Sequence, residues 1–185
     1  MSGGHGHIDG ANKNIAVLIA LLAAFLAVAE TGAKSSQTEV LTQHVEATNM
    51  WTFFQAKTMR QTIVRTAADD AEARHKDAGN MPPAVKAQID NWRRTAQRYD
   101  SEPETREGRK ELMARAKSHE TKRETARSAY HMFEYGSAAF QLAIVLASAA
   151  AITAVMWLAF LAGALGLAGV ALTILGFVAP TLIHL

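Results

Sequence analysis

The chain contains no cysteine among its 185 residues. Disulfide bonds, thiolate catalysis and cysteine-based zinc or iron–sulfur sites are therefore excluded. Proline is scarce, and the stretch from Lys34 to Ala78 contains neither proline nor glycine, so nothing in it obliges a helix to break. The last 49 residues, Ser137 to Leu185, lack Asp, Glu, Lys and Arg altogether. Such a charge-free tail is typical of segments that cross a membrane.

Motifs of the common enzyme classes are also missing. The chain has no P-loop, no Gly-x-Ser-x-Gly, no His-Glu-x-x-His and no dinucleotide-binding fingerprint. Glu72 and His75 have the spacing found in di-iron bundles, but such a site needs a second copy of the motif and two further glutamates. The sequence therefore predicts a non-enzymatic protein with no cofactor and no metal site. The Gly/His tail at residues 1–12 is interpreted as flexible, with weak metal binding by His5 and His7 as the alternative.

Charge is concentrated in the middle of the chain. The 19 Lys and Arg residues except Lys13, and the 17 Asp and Glu residues except Asp9 and Glu30, all lie between Lys34 and Glu134. This stretch carries a net charge of about +3 with both signs interleaved, which favours a solvated helical surface over a nucleic-acid-binding stripe. The mean hydropathy of +0.01 is therefore an average over a charged middle region and strongly apolar segments.

Three apolar segments are candidates for membrane spans. A bilayer core about 30 Å thick needs about 20 apolar residues in a helix. The sequence predicts spans over residues 13–33, 137–161 and 164–185, with a tight hairpin near Gly163 between the last two. The predicted fold is an all-α integral membrane protein with one N-terminal span, a long antiparallel helical stalk and a C-terminal transmembrane hairpin.

The first segment has an alternative interpretation. Lys13, the apolar run that follows it and the small residues Ala27-Val28-Ala29 resemble a secretory signal peptide with its cleavage site. We interpret the segment as an uncleaved span of a multi-pass protein. Lys and Arg residues near the span ends favour a cytoplasmic stalk, with the N-terminus outside and the C-terminus inside.

Small and polar residues mark particular positions in the spans. A stripe of small residues that includes Gly166 and Gly169 lets helices approach closely, either within the hairpin or between subunits. Glu30 falls near one end of the first span, where a carboxylate reaches the headgroups, and the alternative is an intramembrane polar site for a proton or ion. Neither C-terminal span has a charged lining, so a selective ion pathway there is not favoured.

The charged region, residues 34–136, is predicted to form three helices. They cover about 34–78, 83–99 and 104–136, because the prolines and glycine between them do not continue a helix. The chain must return to the membrane that it left, so the outgoing helix and the two returning helices should lie antiparallel. An apolar seam at +4 and +3 spacing marks the second helix: Val85, Ile89, Trp92, Ala96 and Tyr99.

The densest apolar segment of this region starts at Met50. Apolar residues at 50, 51, 53 and 54 cover most of a helix circumference, because consecutive positions lie about 100° apart. They must be covered by the chain's own returning helices, by another subunit, or by a ligand. The candidate interface residues are Trp51, Phe53, Phe54, Gln55 and Lys57.

The same segment carries a family resemblance. It reads W-T-F-F-Q-A-K over residues 51–57, after one N-terminal span and before a long charged region and a pair of C-terminal spans. This layout resembles the bacterial "domain of unknown function 4337" family. The resemblance implies a bacterial inner-membrane protein with no established activity, and it supplies no catalytic residues. The Gly/His-rich tail departs from the acidic tails common in that family.

These observations favour a homo-oligomeric membrane protein that serves as a scaffold or assembly factor. Its expected partners are the lipid bilayer and further copies of itself, which would associate through the stalk and the small-residue transmembrane faces. One alternative is a small channel or transporter component, with Glu30, Ser137 and Gln141 near the pore. Another is an accessory subunit of a larger membrane complex. Nucleic acid is not an expected partner.

Overall fold

The computed structural model describes residues 10–76 and 81–182, with side chains from residue 13 onward. Within those residues there are four α-helices and no strand, which confirms the predicted all-α class. The helices are α1 (Gly10–His75), α2 (Pro83–Asp100), α3 (Arg109–Thr153) and α4 (Met156–Val178). The histidines of the N-terminal tail and the glycine at residue 79 lie outside the described residues.

Three of the four helices are long and apolar enough to cross a membrane, as predicted. They are the helix from Lys13 to His75, the helix from Arg109 to Thr153 and the helix from Met156 to Val178. The first two also contain the charged stretches of the sequence. Each is therefore one continuous helix: α1 changes from apolar to charged along its length, and α3 changes from charged to apolar.

The hairpin between α3 and α4 lies at Ala154 and Val155, so the expected break near Gly163 is wrong. Ala154 has a positive φ of 59° and its backbone N–H donates to the carbonyl oxygen of Ala150 over 2.9 Å. A left-handed residue of this kind commonly ends a helix, although it is usually glycine. The Thr153 hydroxyl also accepts from the Val155 N–H at 3.4 Å. Gly163 instead continues α4, with no neighbouring atom within 4 Å of where a Cβ would be.

The third helix begins at Arg109, five residues later than the start expected at residue 104. Residues 103–106 form a turn in which Arg106 has a positive φ of 57°. Gly108 follows this turn, and a Cβ there would lie 2.4 Å from the backbone nitrogen of Glu102. The chain thus doubles back on itself before α3 starts, and Pro103 belongs to the turn and not to the helix.

The described helices divide into two compact units. The first, called here the span unit, contains α1 up to Leu41, α3 from Arg123 and all of α4. Its core brings the three apolar segments together, with Ile15, Leu22 and Phe140 among its buried residues. The second, called the insert unit, is Thr42–Lys122 and so contains the rest of α1, all of α2 and the start of α3.

Glycines and aromatic rings pack against each other inside the span unit. The Phe133 ring fills the space beside Gly32 of α1 and beside Gly176 of α4, because a Cβ on either glycine would come within 3.0 Å of the ring. Phe140 occupies the corresponding space beside Gly169 of α4. Close helix contact of this kind is how transmembrane helices gain packing energy in a lipid environment.

The insert unit is a three-helix arrangement with its own core. Met50 of α1 packs with Leu112 and Ala116 of α3, and all three are buried. On α2 the buried residues are Ile89 and Ala96, which lie on the apolar seam that the sequence predicts.

Candidate functional site

The apolar segment at residues 50–54 is divided between two faces of α1 in the insert unit. Trp51 and Phe54 pack against the buried cluster of Met50 and its α3 neighbours. Phe53 points away from that cluster and is 59% exposed. The chain's own returning helices therefore cover Trp51 and Phe54, whereas Phe53 and the exposed Gln55 belong to the outer surface.

Trp51 is held by both packing and a hydrogen bond. Its indole Nε1 donates to the Glu120 carboxylate over 2.8 Å. Its ring meets Phe54 edge-on, with centroids 5.4 Å apart, a geometry that aromatic pairs prefer. An indole N–H that is removed from bulk water needs such an acceptor, so Glu120 allows the tryptophan to enter the core.

Lys57 also faces inward, toward the loop between α2 and α3. Its ammonium lies 3.7 Å from the Glu107 carboxylate and 4.0 Å from that of Glu102. It also sits 5.3 Å from the centroid of the Tyr99 ring, which is within the range of a cation–π contact. Lys57 therefore connects α1 to the end of α2 and to the loop.

Arg109, the first residue of α3, joins the three helices of the insert unit. Its guanidinium donates to the Thr58 hydroxyl over 2.8 Å and to the side-chain oxygen of Gln61, and lies 3.4 Å from Asp100. Gln61 is buried, and its amide nitrogen donates to the carbonyl oxygen of Ala96 on α2 over 3.0 Å. No buried side-chain nitrogen or oxygen of this group lacks a hydrogen-bond partner, as a stable buried network requires.

Three carboxylates at the α2–α3 loop have lowered pKa values. A hydrogen bond from Lys110 lowers the pKa of Asp100, one from Arg98 lowers that of Glu102, and one from the Ser101 hydroxyl lowers that of Glu111. Each group is stabilised in its charged form by its neighbours, which is typical of structural ion pairs. A general acid would need the opposite shift. The cluster therefore fastens the loop.

The described residues contain no group of three or more metal-ligating side chains, and the tail histidines His5 and His7 lie outside them. Glu72 pairs with Arg93 of α2, and His75 makes its hydrogen bond with the carbonyl oxygen of Ala71. The two side chains of the Glu-x-x-His spacing thus serve separate structural contacts.

Between residues 45 and 63 the outer face of α1 is uncharged, whereas Asp70 and Arg74 carry charge further along the helix. The exposed residues on this face, called here the outer stripe, are Val45, Thr48, Thr52, Gln55, Ala56, Met59, Thr62 and Ile63. Val45, Met59 and Ile63 are 56%, 68% and 61% exposed. Apart from Gln55, these residues are not predicted from the sequence to form an interface, although the signal is present: uncharged residues recur at three- and four-residue steps through a charged helix.

The threonines of the outer stripe satisfy their own hydroxyl groups. Thr48, Thr52 and Thr62 each donate to the carbonyl oxygen four residues earlier, at 2.9, 2.9 and 3.0 Å. A threonine bonded in this way needs no external acceptor for its hydroxyl hydrogen. The stripe therefore behaves as a more apolar surface than its composition suggests.

The small-residue stripe of the third predicted span is used inside the chain. Gly166 lies against Leu22 of α1, and Gly169 against Phe140 of α3; an added Cβ would come within 2.6 and 2.9 Å of these side chains. Both glycines are buried. Their space is already filled, which removes Gly166 and Gly169 as candidates for contact between subunits.

The polar residues of the span unit do not line one common ion or proton pathway. Glu30 and Gln141 are exposed, whereas Ser137 is buried and its hydroxyl has no hydrogen-bond partner among the described residues. An open cleft of about 450 Å³ lies beside Phe177 and the 27–35 stretch of α1, and its lining is mostly apolar. Apart from Ser137, the candidate polar residues therefore face outward.

Comparison with known proteins places the chain in a family without assigning it an activity. Neither the curated proteins nor the solved structures provide a match. One family model, described as "Domain of unknown function (DUF4337)", matches residues 11–179, which include all four helices except the first residue of α1. The match confirms the resemblance seen in the residue 51–57 segment, and the chain belongs to this family of unknown function.

Proposed function

We propose that this protein is a non-enzymatic, homo-oligomeric membrane scaffold or assembly factor. The span unit anchors it in the membrane, which we take to be the bacterial inner membrane with the insert unit on the cytoplasmic side. The observation that carries the oligomeric part of the proposal is Gln141, an exposed amide within a span that contains no charged residue.

The position of Gln141 makes its exposure costly in a lipid bilayer. The last charged residue before it on α3 is Glu134, and α3 ends at Thr153. At 1.5 Å per residue these lie about 10 Å and about 18 Å away along the helix, so Gln141 falls well inside the apolar span. An amide at that depth is stabilised by an interhelical hydrogen bond, worth about 0.6–2 kcal/mol. A second subunit supplies such a partner.

The surroundings of Gln141 suit a helix contact. Ala138, one turn earlier on the same side of α3, is exposed and small. Leu142 and Val145 are 58% and 64% exposed and add apolar surface. A small residue next to an amide lets a second helix come close enough for the amides to bond.

The insert unit supports a scaffolding role. Its buried or half-buried polar groups at Trp51, Lys57 and Arg109 hold the three helices together. The free surface of α1 is instead uncharged and apolar along the outer stripe. Rigid internal contacts combined with an outward apolar face are typical of a protein that presents a surface for assembly.

Mass measurement in nanodiscs tests the proposal. We expect the wild-type chain to have an oligomeric mass by native mass spectrometry. We expect Gln141→Leu to shift the population toward the monomer, because 0.6–2 kcal/mol corresponds to roughly a 3–30-fold change in association.

Gln97→Leu is the matched control, since it makes the same change at an exposed position of α2. It should leave the mass distribution unchanged. A wild-type chain that is monomeric at every protein-to-lipid ratio would refute the proposal.

A channel or transporter component is the second candidate. The exposure of both Glu30 and Gln141 on the span unit favours it, because subunits that meet at these residues would line a polar path. Ion flux into liposomes measures this activity directly. Flux that is absent, or unaffected by Glu30→Gln, would eliminate this candidate.

An accessory subunit of a larger membrane complex is distinguished by co-purification. Unrelated chains at fixed stoichiometry after gentle extraction would favour that role over self-assembly.

A further inference from the structure

We infer that the outer stripe of α1 binds the outer stripe of a second copy of this chain, with the two helices parallel and in register. The inference rests on the proposed homo-oligomer, and it names the surface outside the membrane through which the copies meet. It is carried by the insert unit alone, independently of Gln141.

The charge pattern fits a copy of the same chain. In a parallel, in-register pair each residue lies opposite itself, so any ionisable residue on the face would oppose a like charge. None of the eight residues of the outer stripe is ionisable. The exposed positions of α2, by contrast, include Lys86, Asp90 and Arg94, which would repel their own copies.

The spacing of the stripe fits a two-helix seam. Val45, Thr52 and Met59 are separated by seven residues, as are Thr48, Gln55 and Thr62, and the second set follows the first by three. This is the a and d pattern of a parallel coiled coil, with Ala56 and Ile63 beside it. Both copies enter the same membrane with the same topology, so their α1 helices run in the same direction.

Gln55 determines the register. It is the only amide among the a and d residues, and in register it meets the Gln55 of the other copy. A buried amide pair of this kind favours one alignment over its neighbours, because any slip leaves each amide against an apolar residue or a self-bonded threonine.

The size of the face also favours a second copy over a soluble partner. Residues 45–63 span about 28 Å of a helix about 10 Å wide, which gives a face of about 300 Å². A stable complex of free proteins needs about 800 Å² from each partner. A face this small gives stable pairing only when the partner is already held nearby. Linked binding modules meet that condition, because their effective concentration is in the millimolar range. A copy anchored in the same membrane meets that condition.

The absence of native cysteine permits a direct test. Single-cysteine variants Val45→Cys, Thr48→Cys, Thr52→Cys, Gln55→Cys and Met59→Cys are oxidised in native membranes, and covalent dimers are quantified. At a and d positions of a parallel pair the Cα atoms approach to within about 4–7 Å, as a disulfide requires. Ser118→Cys is the control, because it is exposed on α3 and away from the stripe.

We expect several-fold more dimer from the stripe cysteines than from Ser118→Cys. Equal yields at all positions would mean random collision and would overturn the inference. In an antiparallel pair only the central positions lie opposite themselves. Dimer from the central cysteines alone would therefore mean antiparallel helices and would also overturn the inference.

A second variant keeps the inference testable without disulfides. Met59→Glu places a charge at a side chain that is 68% exposed, so the monomer should fold normally. We expect a shift toward lower mass in nanodiscs, with an unchanged circular dichroism spectrum, while Ser118→Glu has no effect. If Met59→Glu and the cysteine yields show no stripe contact but the wild-type mass remains oligomeric, the inference fails and the proposed function stands. A monomeric wild type refutes both.

Discussion

Two glycines of α4 differ sharply in the space around them, and this predicts opposite effects of the same substitution. Gly163 has nothing within 4 Å of its missing Cβ, whereas at Gly169 a Cβ would lie 2.9 Å from the Phe140 ring. Alanine is favoured over glycine by about 1 kcal/mol in a helix interior. Gly163→Ala should therefore be neutral or stabilising.

Gly169→Ala gains the same helix propensity but overfills its site. Phe140 is completely buried and stacks on Phe25 with ring centroids 6.0 Å apart, so its ring has little room to move. Overpacking of this kind costs about 1–3 kcal/mol. Since the propensity gain is common to both variants, the free energy of unfolding should differ between them by about 1–3 kcal/mol.

Thermal unfolding in detergent, followed by tryptophan fluorescence, measures this difference. For a chain of this size about 1 kcal/mol changes Tm by about 2–4 °C, so Gly169→Ala should melt about 2–12 °C below Gly163→Ala. Adding Phe140→Leu should reduce the effect of Gly169→Ala, because a smaller side chain relieves the contact. A Gly169→Ala variant that melts at or above Gly163→Ala would refute the packing described for the span unit.

Three further predictions concern the insert unit. Trp51→Phe keeps the apolar contact but loses the hydrogen bond to the Glu120 carboxylate, so it should lower the free energy of unfolding by about 1.5–3 kcal/mol in thermal melts. The double variant Trp51→Phe with Glu120→Gln should lose less than the sum of the two single losses, because both remove the same bond. Gly108→Ala should destabilise by at least about 1–3 kcal/mol, as measured by circular dichroism melts, because its Cβ would lie 2.4 Å from a backbone nitrogen that cannot rotate away. The pKa values of Asp100 and Glu111 are lowered by folding, so their contribution is present above their ordinary values of 3.8 and 4.5 and is lost as the pH falls through the folded values. Tm should therefore fall below about pH 4.5, and Asp100→Asn with Glu111→Gln should weaken that fall.

The helices themselves could be predicted from the sequence. Long runs without proline or glycine and the spacing of Ile89 and Ala96 on α2 are local signals, and the structure has both residues buried. The family was also recognisable, because the segment from Trp51 to Lys57 is short, aromatic and unusual within a charged helix.

The ends of the helices could not be predicted in the same way. A glycine is the usual signal for a turn, which made Gly163 the natural position for the hairpin. The structure instead turns at Ala154, whose left-handed conformation costs about 1–2 kcal/mol. That cost is offset by tertiary packing between α1, α3 and α4, for which a single sequence carries no local signal.

Trp51 and Phe54, two of the five candidate interface residues, are covered by the chain itself, whereas Phe53 and Gln55 of the same segment stay exposed. The large aromatics Trp51 and Phe54 dominate the sequence pattern, yet their size is what suits them to the core of the insert unit. The outer stripe consists of residues that are individually inconspicuous, such as Thr52 and Met59, and its meaning comes from the lack of charge at every one of its positions. A helix face that is exposed only to water tolerates charged residues, so solvent exposure does not explain an uncharged face on this helix. Pairing with an identical face does explain it, because like charges would then lie opposite each other. The absent charges, more than the aromatic cluster, are therefore the basis of the self-association proposed for this helix.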